Sequence, residues 1–102
     1  MKFEVLDSFE ADFKRLSRTE RRTFKGVLPE FVAACDRFAV EPSTAWPASL
    51  RVKSVEGARG IMEMTWSFAG PDGRATFEWV DIEGALGVRW RRIGGHSIFR
   101  EP

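Results

Sequence analysis

Residues 61–80 read IMEMTWSFAGPDGRATFEWV, and their periodicity decides the fold. Met62, Met64, Trp66 and Phe68 alternate with Ile61, Glu63, Thr65 and Ser67. Beyond the Gly-Pro-Asp-Gly stretch, Ala75, Phe77 and Trp79 alternate with Arg74, Thr76, Glu78 and Val80. A period of two with aromatics on one side predicts strands that bury one face. Glycines around Pro-Asp favour a turn, so the two runs pair as an antiparallel hairpin. Working outward, residues 50–55 form a candidate strand, and EGARG at 56–60 is a turn. DIEGALG at 81–87 leads into a last strand over 88–93, where Val88 and Trp90 oppose Arg89 and Arg91.

The first half of the chain has a different period. Residues 3–6 suit a short opening strand, and Phe9, Phe13 and Leu16 repeat at helical spacing. Ser17 and Glu20 have the S-x-x-E pattern of a capping box, which starts a second helix. Phe24, Val27, Leu28, Phe31, Val32, Cys35 and Phe38 then make a stripe facing a core. Pro29 lies inside that stripe and removes a backbone donor, which predicts one kinked helix. Cys35 on the stripe reads as a core residue, not a nucleophile. EPSTAWP at 41–47 separates the helical half from the strands. The order is that of an α+β domain over residues 1–102, with two N-terminal helices on one face of a mainly antiparallel four-stranded sheet.

Composition narrows the function. The chain carries 16 basic and 15 acidic residues, so bulk charge gives no vote for nucleic acid. Twelve of the bases are Arg, whose planar fork suits phosphate. The single cysteine forms no internal disulfide, and no His/Cys/Asp cluster has metal-ligand spacing. Neither a signal peptide nor a long apolar run is visible, which predicts a soluble cytoplasmic protein without membrane contact.

The face opposite the apolar alternation carries Arg51, Lys53, Glu63, Thr65, Arg74, Thr76, Glu78, Arg89 and Arg91. It is either a lattice of cross-strand ion pairs or a cationic concavity with carboxylates set in it. Arg91 shares the parity of Arg89, whereas Arg92 shares that of Trp90, unless a bulge near Gly94 reverses the facing. The only histidine, His96, follows Gly94-Gly95 and precedes Ile98-Phe99, which would anchor a final strand. An imidazole suits proton transfer near neutrality.

The element order and four short motifs resemble the RelE/ParE superfamily of bacterial toxins from type II toxin–antitoxin systems. A strand and two helices open the chain. LRVKSVEGARGIMEMTW at 50–66 looks like the superfamily's basic strand, Gly-containing turn and Glu-bearing strand. GRATFEW at 73–79 looks like its central strand, which begins with a functional arginine, and RRIGGHSIF at 91–99 looks like its terminal strand, which carries a His or Tyr. The resemblance implies a metal-independent endoribonuclease that cleaves mRNA on the ribosome through attack of the 2′-OH on the adjacent phosphate. It places His96 and Arg74 in catalysis and Arg51, Lys53, Arg89 and Arg91 along the phosphates. Glu63 and Glu78 then support, either beside His96 or, for Glu63, as an ion pair that holds Arg74. No cofactor is implied, and the partners are a cognate antitoxin, mRNA and the ribosome. The basic run Lys14, Arg15, Arg18, Arg21, Arg22 and Lys25 is either a solvated helix face or a meeting point for acidic antitoxin residues or ribosomal RNA. Two other branches stay open: a ParE-like toxin that binds gyrase, and a non-catalytic member that binds a partner protein. The chain departs from the pattern in having no tyrosine, and Phe77 stands where an Arg-apolar-apolar-Tyr motif would place one.

Overall fold

The computed structural model describes residues 1–68 and 72–102; the first half of the turn expected at GPDG, residues 70–71, lies outside them. The elements are β1 (Lys2–Val5), α1 (Asp7–Arg15), α2 (Arg18–Val40), a 3-10 turn (Ala48–Leu50), β2 (Lys53–Ser54), β3 (Met62–Ser67), β4 (Gly73–Ile82), β5 (Ala85–Gly94) and a second 3-10 turn (His96–Arg100). The sheet runs β1-β5-β4-β3-β2, with β1 parallel to β5 and the other pairs antiparallel. This is an α+β fold whose sheet takes in all five strand segments, where a four-stranded sheet was expected. The strand expected over 50–55 shrinks to Lys53–Ser54, because the 3-10 turn takes Leu50 and Arg51 follows it in the left-handed region at φ 45°. DIEGALG is mostly strand: Glu83 and Gly84, both at positive φ, form the two-residue turn that matches hairpin twist.

The capping box forms as its sequence requires. Ser17 Oγ accepts from the Glu20 N–H at 3.1 Å, and Glu20 Oε1 accepts from the Ser17 N–H at 2.8 Å. Ser17→Ala leaves the Glu20 N–H without its acceptor and is expected to lower stability by about 1 kcal/mol, read as a shift of the urea midpoint at unchanged slope. From there α2 runs unbroken through Pro29, which lies on its exposed side. Its buried face, Phe24, Phe31, Ala34 and Cys35, meets the sheet. The Phe31 ring lies 5.0 Å from Trp90 and 5.2 Å from Phe77, and Phe24 stands edge-on to Trp66 and Trp90. Burial, reinforced by Asp36 and partly opposed by the N-terminal ammonium, pushes the Cys35 thiol up to about 12. It stays protonated at neutral pH, as expected of a core residue.

Two bulges decide what the other sheet face displays. Thr76 pairs with Arg92 and Phe77 with Trp90, so Arg91 is an extra residue in β5. Arg92 therefore lies on the face of Thr76, and the parity that opposed it to Arg91 is overturned. The bulge sits at Arg91, not near Gly94. Beyond β1, helix α1 takes over the exposed edge of β5. Leu6 N–H donates to Trp90 O, Ser8 Oγ to Arg91 O, and Ile93 N–H to Asp12 Oδ2 at 3.1 Å. Asp12 also receives Arg92 through Nε at 2.6 Å and Nη2 at 3.1 Å. One buried carboxylate thus satisfies a strand edge and fixes an arginine.

The second face is not uniformly wet, as its polar composition had suggested. Glu63, Thr65, Arg74 and Thr76 are all buried. The chain after β5 returns over β4 and β5: the terminal strand ends at Gly94, and His96–Arg100 packs against both strands. Ile98 is buried and Phe99 half-buried. Thr76 Oγ1 donates to Pro102 O at 3.1 Å, Arg91 Nε donates to the same oxygen at 3.0 Å, and Arg92 Nη1 donates to Glu101 O.

Candidate functional site

The returning segment turns the sheet face into a cleft. Lys53, Ser54, Val55, Glu56, Glu63, Arg74, His96 and Phe99 line a half-open cavity of about 380 Å³. Register explains the convergence, since Lys53 pairs with Glu63 while Arg74 pairs with Thr65 on one side and Gly94 on the other. Directly paired residues share a face. His96 enters two residues after Gly94, and its ring stands edge-on to Phe99 at 5.5 Å.

Arg74 is the electrostatic centre. Its side chain is 10 % exposed, with Nε 3.7 Å from Glu63 Oε1 and Nη1 3.3 Å from Asp72 Oδ2. The Asp72 contact is close but misaligned, and Nη1 is buried without a hydrogen-bond partner among the described residues. A buried guanidinium N–H left unpaired is costly unless something else accepts from it. The guanidinium thus lies between two carboxylates, with one N–H unpaired among the described residues.

The other candidates do not line this cavity. Arg89 Nε binds Glu4 Oε1 at 2.6 Å, and Arg91 Nη1 binds Glu78 Oε2 at 2.6 Å, so Arg89, Arg91 and Glu78 belong to a cross-strand ion ladder. Arg92 is committed to Asp12, whose hydrogen bond raises the guanidinium pKa against opposing desolvation. Arg51 is exposed, with its guanidinium carbon 5.2 Å from the centre of the Phe68 ring. Lys53, Glu63, Arg74 and His96 are thus gathered; Arg51, Glu78, Arg89 and Arg91 are not. The ion-pair lattice describes the Arg89, Arg91 and Glu78 end of the polar face, while the cavity end holds Lys53 and Arg74 together with the carboxylates Glu56 and Glu63.

Among the described residues no three His, Cys, Asp or Glu side chains are grouped to hold a metal ion, and no helix is long and apolar enough to cross a membrane. No protein-family model and no curated protein sequence matches the chain. A structural match exists to a chain of the intact E. coli RelBE toxin–antitoxin complex, with a TM-score of 0.51 and 12 % identity over 91 % of this chain and 93 % of that one. The fold is RelE-like.

Within the RelE-like fold, the cavity also contains residues that sequence reasoning did not select. Ser54, Val55 and Glu56 line it because β2 is short and turns at once into the Gly57–Gly60 loop. Phe99 carried a signal, a lone aromatic near the histidine, but was assigned to anchoring. Ile98 does that work, buried against Gly94, where a Cβ would come within 3.1 Å of it.

Proposed function

We propose that the chain is a toxin of a toxin–antitoxin system and acts as a metal-independent endoribonuclease on mRNA at the ribosome. The observation that carries this reading is that the buried Arg74 lines the same cavity as His96 and Lys53, with Nη1 unpaired among the described residues. A scissile phosphate in this cavity is attracted by the Arg74 charge. His96 as neutral imidazole takes the 2′-OH proton, and the 2′-oxygen bonds to phosphorus. The bond from phosphorus to the 5′-oxygen breaks, and the leaving oxygen takes a proton from the Lys53 ammonium. Arg74 stabilises the extra negative charge of the pentacoordinate transition state. The products are a 2′,3′-cyclic phosphate and a free 5′-OH. Glu63 holds Arg74 and does not transfer a proton.

The proposed protein partner is an antitoxin. An open apolar groove of about 390 Å³ on the helical side, walled by Phe3, Val5, Phe13, Leu28 and Val32, carries Lys25 at its edge. Such a groove fits an amphipathic segment with acidic flanks, and the basic run from Lys14 to Lys25 supplies the complementary charge.

Expression in a bacterial host with mapping of mRNA ends tests the activity. Growth arrest with new 5′-OH ends is expected for the wild-type chain, and His96→Ala is expected to reduce cleavage by about 10²-fold or more. Arrest with gyrase-linked DNA breaks and intact mRNA would replace this reading with the ParE-like one. A folded chain that neither arrests growth nor cuts RNA would favour the non-catalytic, protein-binding alternative.

A further inference from the structure

Phe68 is 52 % exposed, although the alternation of β3 assigns it to the buried face with Met62, Met64 and Trp66. The second bulge explains the difference. Thr65 pairs with Arg74 and Ser67 with Gly73, so Trp66 is an extra residue. Ser67 takes the facing of Gly73, and Phe68 passes to the side that carries Arg74. It lies three positions beyond Thr65, just past the end of β3, a chain distance of at most about 10 Å.

Over this ring lies Arg51, at 5.2 Å. Its backbone, at φ 45°, is in a region that side chains other than glycine rarely adopt. The preceding turn holds it there through the bond from Arg51 N–H to Ala48 O and the 1 % exposed Leu50. Among the described residues no carboxylate lies within ion-pairing distance of Arg51. The result is an exposed aromatic face on the side of the sheet that carries Arg74, with a cation stacked on it that has no carboxylate partner among the described residues.

We propose that Arg51 and Phe68 form a stacking platform for a nucleobase adjoining the phosphate at Arg74. The platform rests on the RNA reading of the cavity and adds a base subsite to it. An aromatic ring and a guanidinium plane both offer flat faces to any base, and the Arg51 charge favours the neighbouring phosphate. The subsite is therefore tolerant of base identity and sensitive to base removal.

The test compares a short RNA oligonucleotide with the same oligonucleotide made abasic at one position, walking that position along the strand. Binding is followed by NMR shifts of the full chain. Phe68→Ala is expected to weaken the intact oligonucleotide by about 5- to 150-fold while leaving unchanged the abasic form whose missing base belongs to the platform. Phe68→Trp is expected to restore the difference. An unchanged melting temperature confirms that Phe68→Ala folds. Equal weakening of both ligands, or of neither, overturns the platform. If the wild-type chain binds every abasic form as tightly as the intact RNA, the platform fails and the phosphate site stands. If it binds no RNA, both fail.

Discussion

Asp12→Ala is expected to destabilise the protein by about 3 kcal/mol, a fall in melting temperature of roughly 10–20 °C for a chain of this size. The carboxylate is 7 % exposed and has two clients that water cannot readily serve. Its loss leaves the buried Ile93 N–H without an acceptor and removes the bidentate partner of Arg92, whose side chain is only 23 % exposed. Arg92 retains the Glu101 carbonyl, which keeps the loss near the lower end for a broken buried pair. Asp12→Asn preserves the shape and one acceptor and is expected to lose less. The pair itself is a weak source of net stability, because desolvation offsets most of the attraction. Asp12→Ala combined with Arg92→Met should therefore recover a large part of the loss. Additivity in that double-mutant cycle would show that the two residues do not act as a unit. The Arg92 pKa is raised, chiefly by the Asp12 hydrogen bond, so its contribution is complete below the guanidinium's ordinary value and is lost only as pH rises past the raised one.

The same residues show how far the sequence could be read. Period-two alternation identified β3 and β4, and Ser17 with Glu20 marked the start of α2, because those signals depend on neighbours in the chain. A bulge leaves no such trace. One extra residue at Trp66 and another at Arg91 change the facing of everything beyond, which is why Phe68 was placed inside and Arg92 set apart from the polar face. Burial of Glu63, Thr65, Arg74 and Thr76 was invisible for another reason. Part of the cover comes from residues 96–102, which pack on β4 and β5 and are held by carbonyl contacts to Thr76, Arg91 and Arg92 that composition does not encode. The four residues gathered in the cavity were legible through register, since Lys53, Glu63 and Arg74 occupy regular strand positions. Arg89 and Arg91 met their carboxylates on adjacent strands, and pattern alone could not separate a paired arginine from a free one.

Arg74→Gln is expected to lower RNA cleavage by about 10²–10³-fold, comparable to removing one charge-stabilising donor from a preorganised site. A loss of activity alone would not distinguish a phosphate contact from a structural ion pair, because Arg74 also faces Glu63, itself 7 % exposed. Single removal leaves that carboxylate buried without its cation, so stability should fall as well. Two further variants separate the roles. Arg74→Gln with Glu63→Gln removes both charges and should regain stability, whereas cleavage should stay low. Arg74→Lys keeps a positive charge near Glu63 but lacks the planar fork that engages a phosphate through two N–H groups. It should fold well and cleave poorly, with the defect in kcat more than in KM, because the missing interaction strengthens in the transition state. Full activity in Arg74→Lys would show that charge alone suffices. Recovery of cleavage in the double variant would reduce Arg74 to a counter-ion for Glu63 and remove the main support for a phosphate site in this cavity.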